Sequence, residues 1–122
     1  MLALQIIAAH LLGDYILQND YMAQGKKKSN CICTLHVSLY MVGFLLIWPL
    51  VGFNVGFHWV LFAIFIQHWI QDRTNVVNWW MQFYGQRDFA KPPCAPWSIF
   101  IVDNSLHLIW ITIVLQIWKN SI

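Results

Sequence analysis

Glutamate is absent from this chain, and charged residues of all kinds make up only 10% of its 122 residues. Ordinary soluble domains carry about 25%, so a water-facing surface of normal polarity is excluded. Cysteine is scarce too. Cys31, Cys33 and Cys94 are an odd set without metal-finger spacing, which argues against a disulfide framework and leaves reduced thiols near a cytoplasmic boundary. Excess charge of either sign is missing: a formal +2 is too small for nucleic-acid binding, and the basic residues are confined to connections between apolar runs. A basic stretch ahead of the first apolar run is also lacking, and that run contains His10 and Asp14. The first segment therefore reads as a retained helix rather than a cleaved signal peptide.

What is present is apolar. Hydrophobic residues reach 59% and the mean hydropathy is +0.55, the composition of a multi-pass membrane protein. Segment one runs from about Met1 to Gln18, near the short end of a bilayer span. Segment two runs from about Cys31 to Val51, and segment three from about Val55 to Ile70. The third continues as an amphipathic stretch towards Tyr84, where Trp79, Trp80, Phe83 and Tyr84 suit the headgroup level. Segment four opens after Pro96, a residue suited to a first helical turn, and ends near Trp118. The expected fold is all-α, a polytopic membrane protein. Residues 1–122 form one domain of four transmembrane helices in a compact bundle, with an interfacial helical extension after the third.

Lysine and arginine give the orientation. Lys26, Lys27 and Lys28 lie between segments one and two, and Arg73, Arg87 and Lys91 between three and four, while the connection around 52–56 has none. The positive-inside rule places both basic connections in the cytoplasm and both termini outside it, in a bacterial inner membrane. Trp48, Trp59, Trp97 and Trp118, near the segment ends, fit an interfacial aromatic belt. The lysine run reads as a topology determinant at anionic headgroups. Gly13 and Gly43 allow close helix approach.

Against this background the rare polar residues recur in a pattern. His10 and Asp14 are four apart, as are His68 and Asp72, and Asp103 and His107 repeat the spacing in reverse; His36 stands alone in segment two. Residues at i and i+4 share a helix face. The topology then sets depth from the cytoplasmic ends. At 1.5 Å per residue Asp14 lies about 6 Å in, His10 about 12 Å, His36 about 7 Å, Asp103 about 10 Å and His107 about 16 Å. His68 and Asp72 fall within about 6 Å. Seven side chains from four helices can thus meet in one layer.

Imidazole nitrogen and carboxylate oxygen are the ligands of zinc, manganese and iron, so His10, Asp14, His36, His68, Asp72, Asp103 and His107 are the candidate ligands of one or two divalent ions. A divalent cation would also compensate three carboxylates in a segment set without lysine or arginine. Asp14, Asp72 and Asp103 are the candidate catalytic carboxylates, with Asp14 a candidate general base. The same pairs can instead hydrogen-bond to one another and hold helices together. Tyr40, one turn after His36, faces either the site or the packing; Gln18, Gln67 and Gln71 line a cavity mouth or an interface; His58 lies apart, near the other boundary.

The run His10-Leu-Leu-Gly-Asp14-Tyr-Ile-Leu-Gln18-Asn-Asp20-Tyr-Met22, with Lys26–Lys28, Leu35-His36, His68 with Asp72, and Asp103-Asn-Ser-Leu-His107, resembles a family of small bacterial and phage membrane proteins of unknown function. The resemblance covers nearly the whole chain and implies four helices with these polar positions, but no activity. Asn104 stands where that family often has glutamine, and Arg73 where lysine is common just after the third-segment aspartate. The His-x-x-x-Asp spacing is also similar, more weakly, to membrane-bound metal-dependent hydrolases. Three functions follow as expectations: a metal-dependent hydrolase of a lipid-linked or amphiphilic substrate, a proton or metal-ion conduit built from the same residues, and a non-enzymatic membrane interaction protein. Membrane lipids are expected partners and nucleic acid is not; the oligomeric state stays open. The orientation is testable: alkaline phosphatase fused after Ile122 should be active and a fluorescent protein fused there dark, the reverse pattern refuting the charge rule here.

Overall fold

The computed structural model describes residues 2–51 and 56–121, and among them every regular element is helical. Helix α1 (Leu2–Leu11) runs directly into a π-helical turn (Leu12–Ile16). A short α2 (Asp20–Gly25) leads into α3 (Asn30–Val51), followed by α4 (Phe57–Arg73), a short α5 (Val76–Phe83) and α6 (Trp97–Ser121). Two of these, α3 from Asn30 to Pro49 and α6, are long and apolar enough to cross a membrane; the apolar stretch Ala3–Ile16 is shorter. Of the four expected spans, the second and fourth thus reach that length, while the first and third form the shorter α1 with its π-helical turn and the 17-residue α4.

Their ends have local causes. Asn19 caps α2 by accepting the Met22 N–H at 3.0 Å. Gly56, at φ +97, supplies the left-handed turn that starts α4. Pro96 precedes the first residue of α6, as its fixed φ favours. At the end of α4, Lys27 Nζ donates to the carbonyls of Asp72 (3.2 Å) and Thr74 (2.9 Å), placing a cation where the helix dipole is negative. Arg73 reaches back to the Lys27 carbonyl at 2.8 Å. The two basic connections thus meet at one end of the molecule. The uncharged connection that would lie at the other end falls largely outside the described residues.

The third segment does not continue unbroken to Tyr84. Thr74 turns extended, and α5 sets off separately, packing Val77 and Met81 inwards while Trp79, Phe83 and Tyr84 stay exposed. Residues after α5 return by turns to α6, where Ser98 Oγ donates to the Phe89 carbonyl at 2.5 Å.

Helix α1 packs on α3, α3 on α4, and α4 on α6. Glycines bring the first pair close. A Cβ built on Gly13 would come within 2.8 Å of the Tyr40 Cα, and one on Gly43 within 2.5 Å of the Ala9 carbonyl oxygen. Both glycines therefore face backbone, which cannot move aside as a flexible side chain can. Away from the basic end the interior is apolar, with Phe44, Phe57, Val60, Ile64, Ile111 and Leu115 in one cluster. Towards it, buried polar side chains join the apolar ones: His36, His68, His107, Asp14, Asp72 and Gln71. The exterior is the opposite of a soluble protein's: Leu4 and Ile16 are each 74% exposed and Ile117 65%.

Gly13→Ala and Gly43→Ala are each expected to cost about 1–3 kcal/mol by overpacking, read as a lowered unfolding midpoint in detergent. Wild-type stability in both would show that α1 and α3 do not approach this closely.

Candidate metal centre

Asp14, His36, His68 and Asp72 come together from three neighbouring elements: the π-helical turn, α3 and α4. The turn matters here. Leu17 N–H bonds to the Leu12 carbonyl five residues back, so the backbone is widened at the level of Gly13 and Asp14, as π turns at functional sites commonly are. Gly13 lets that widened turn sit against Tyr40, which carries Asp14 to within reach of His36, one turn before Tyr40.

The resulting group is close-knit and buried. His36 Nε2 lies 3.2 Å from His68 Nε2. Each is 3.3 Å from Asp14 Oδ1, and they lie 2.9 and 3.1 Å from Asp72 Oδ2 respectively. Ligands placed tetrahedrally around an ion at about 2.0 Å are about 3.3 Å apart, and adjacent octahedral ligands about 2.9 Å. The five separations span that range. Asp14 Oδ1 accepts no hydrogen bond although two imidazole nitrogens lie 3.3 Å away. The donor atoms are gathered about a point rather than aligned in pairs.

A second set, Asp72, Asp103 and His107, adjoins the first through Asp72. His107 Nε2 lies 3.7 Å from Asp72 Oδ1 and 3.8 Å from Asp103 Oδ2. His68 stacks between two aromatic neighbours, with the His107 ring centroid 4.1 Å away and that of Tyr40 3.7 Å away. All seven histidines and aspartates singled out from the sequence thus fall in one connected layer. His58 does not join it and is exposed.

His10 stands outside both sets. Its Nε2 donates to Asn104 Oδ1 at 2.9 Å, because the Asn104 amide nitrogen is committed to the Tyr15 hydroxyl and the Phe100 carbonyl. Its Nδ1 therefore accepts the Tyr40 hydroxyl at 2.8 Å. With both nitrogens engaged, His10 ties α1 to α6 and stands 3.7 Å from Asp14 Oδ2.

Lys26 departs from the headgroup role expected of the lysine run. It turns inwards, and its ammonium donates to Asp72 Oδ2 at 2.9 Å. Burial pulls its pKa down, but Asp72, with Asp14 beyond it, outweighs that and raises it above the usual lysine value. Lys27 caps α4, which leaves Lys28 as the exposed member of the run without such a contact among the described residues. One ammonium still faces three carboxylates, so the layer retains an excess of negative charge to be met by a bound cation or by protonated imidazole. Lys26, Asn104 and Tyr15 are site residues that the sequence pattern did not single out. Cys33 lies at this level, but its thiol is directed to the Trp69 carbonyl at 3.7 Å.

The Lys26–Asp72 pair should be energetically coupled. A double-mutant cycle over Lys26→Met and Asp72→Asn, followed by unfolding in detergent, is expected to return about 0.5–3 kcal/mol. Additivity within error would place Lys26 outside the network.

No curated protein and no solved structure matches this chain. Its sequence does match, over residues 1–122, the model of a family described as a protein of unknown function. The chain belongs to that family, DUF3307.

Proposed function

We propose that this is a membrane-embedded, metal-dependent hydrolase acting on a lipid-linked or amphiphilic substrate at the cytoplasmic side of a bacterial inner membrane. The observation that carries it is the convergence of Asp14, His36, His68 and Asp72 at metal-ligand separations. Helices α1 and α4 cross beside α3 and α6. Their outer faces are as apolar as those of the longer pair, with Leu4 and Ile7 exposed on α1 and Phe62, Ile66 and Ile70 on α4. At 17 residues α4 spans about 26 Å, which a locally thinned bilayer accommodates.

The substrate class rests on a groove of about 590 Å³ between α4, α5 and α6. Phe62, Ile66, Trp79 and Trp110 are among its apolar walls, and Gln67 and Gln71 are its polar residues. Gln71 bonds to Asp103, and Gln67 to His107. An apolar chain in the groove would leave a polar head at the Asp/His layer. A divalent ion held by these residues would supply activated water at neutral pH and would polarise an acyl or phosphoryl oxygen. Asp103, the most exposed of the three carboxylates, is the one joined to the groove, through Gln71. Asp14 serves as a ligand rather than as a free base, since its Oδ1 faces both imidazoles. The conduit reading finds less support: among the described residues every buried polar side chain is at the basic end, and Phe44, Phe57, Ile64 and Ile111 fill the path beyond.

Elemental analysis of detergent-purified protein tests the centre. Stoichiometric zinc, manganese or iron is expected, lost at least tenfold in His68→Ala; no bound metal in the wild type would refute the reading. Head-group release from synthetic ester and phosphodiester amphiphiles, abolished by chelation and restored by metal, tests the reaction class.

A further inference from the structure

The amides around His107 determine which of its nitrogens carries the proton. Gln71 lies within 2.8 Å of two acceptors, the Asp103 carbonyl and Asp103 Oδ1, so it must present its NH₂ group to them. Its Oε1 therefore faces Gln67 and accepts the Gln67 NH₂ at 2.6 Å. That leaves Gln67 Oε1 pointing at His107 Nδ1, 3.3 Å away, where only an N–H satisfies it. In the neutral ring, Nε2 is then a bare lone pair. It is fully buried, has no hydrogen-bond partner, and faces Asp72 Oδ1 and Asp103 Oδ2.

A lone pair and two carboxylate oxygens facing one another with no hydrogen between them repel, unless a cation sits among them. Their separations of 3.7 and 3.8 Å are those of ligands about 120° apart around an ion at about 2.1–2.2 Å. Asp72 divides its oxygens, Oδ2 facing His36 and His68 while Oδ1 faces His107. One carboxylate serving two ligand sets is how ions about 3.5–4 Å apart are bridged.

Building on the hydrolase reading above, we propose that the layer holds two divalent ions bridged by Asp72, and that the ion held by Asp72, Asp103 and His107 is the one that meets substrate. The first set has four protein donors, the closed arrangement of a structural site; the second has three, which leaves positions for water and substrate. Only the second is joined to the groove, through Gln67 and Gln71. It also has the better-supported imidazole. Gln67 holds the far nitrogen of His107, whereas Nδ1 of His36 and of His68 have no hydrogen-bond partner.

Metal stoichiometry decides this without any assay of activity. Full-length protein purified in detergent is loaded with cobalt(II), then counted by elemental analysis and titrated by its visible absorption. Two ions per chain in the wild type and one in Asp103→Asn and His107→Gln are expected, with the first ion retained. Gln67→Leu, which removes the proton-fixing amide but no ligand, should weaken the second ion about 10–100-fold, and its helicity and melting are followed by circular dichroism. A single ion in the wild type, kept in all three variants, overturns the two-ion proposal and leaves the metal-centred hydrolase reading standing. No ion in any of them overturns both.

Discussion

The organisation of this protein follows from one electrostatic constraint: Asp14 and Asp72 are buried on either side of two imidazole nitrogens only 3.2 Å apart. Buried carboxylates are tolerated only where something compensates them. Lys26 supplies one positive charge from the connection after α2, and the remaining deficit has to be met by a bound cation or by protonated imidazole. Several otherwise unrelated features serve that arrangement. The π-helical turn and Gly13 bring Asp14 against α3, and Gly43 lets α1 and α3 stay in contact one level further on.

The molecule is also polarised along its length. The buried histidines, aspartates and Gln71 lie towards the basic end, beside apolar residues such as Val37, Val77 and Met81; towards the other end the buried side chains are aromatic and aliphatic. Apolar side chains are exposed along all four longer helices; were they to face lipid, packing and interhelical hydrogen bonds rather than hydrophobic burial would hold the helices together. Polar contacts such as His10–Asn104, between α1 and α6, therefore contribute to assembly as well as to the site.

Residues of the same type and spacing do different things within this layer. His10 and His107 each belong to a four-residue His/Asp pair, yet both nitrogens of His10 are spent on Tyr40 and Asn104, whereas His107 keeps one free. The difference is imposed by neighbouring amides, whose orientations are forced by acceptors that cannot donate. Asn104 Oδ1 accepts from His10 Nε2 and so holds that ring's proton there, and Gln67 Oε1 holds the proton of His107 on Nδ1. Side-chain amides thus act as proton-placing elements, and the roles of the histidines follow from them.

Much of this could be read from the chain itself. Apolar periodicity and breaks at Pro96 and around Gly56 located the long helices. Helical rise, counted from the basic connections, put His36 and the three His/Asp pairs at one level. These properties are set locally, by residue type and by position along a helix, so no long-range information was needed. The rest depended on rotation and partner choice. Whether Lys26 turned to lipid headgroups or inwards depended on where α4 placed Asp72, 46 residues away in sequence. The division of Asp72 between two ligand sets, the π-helical turn and the exclusion of His10 were likewise decided by packing across helices. Sequence spacing specifies which face of its own helix a side chain occupies; only the assembled bundle specifies what that face meets.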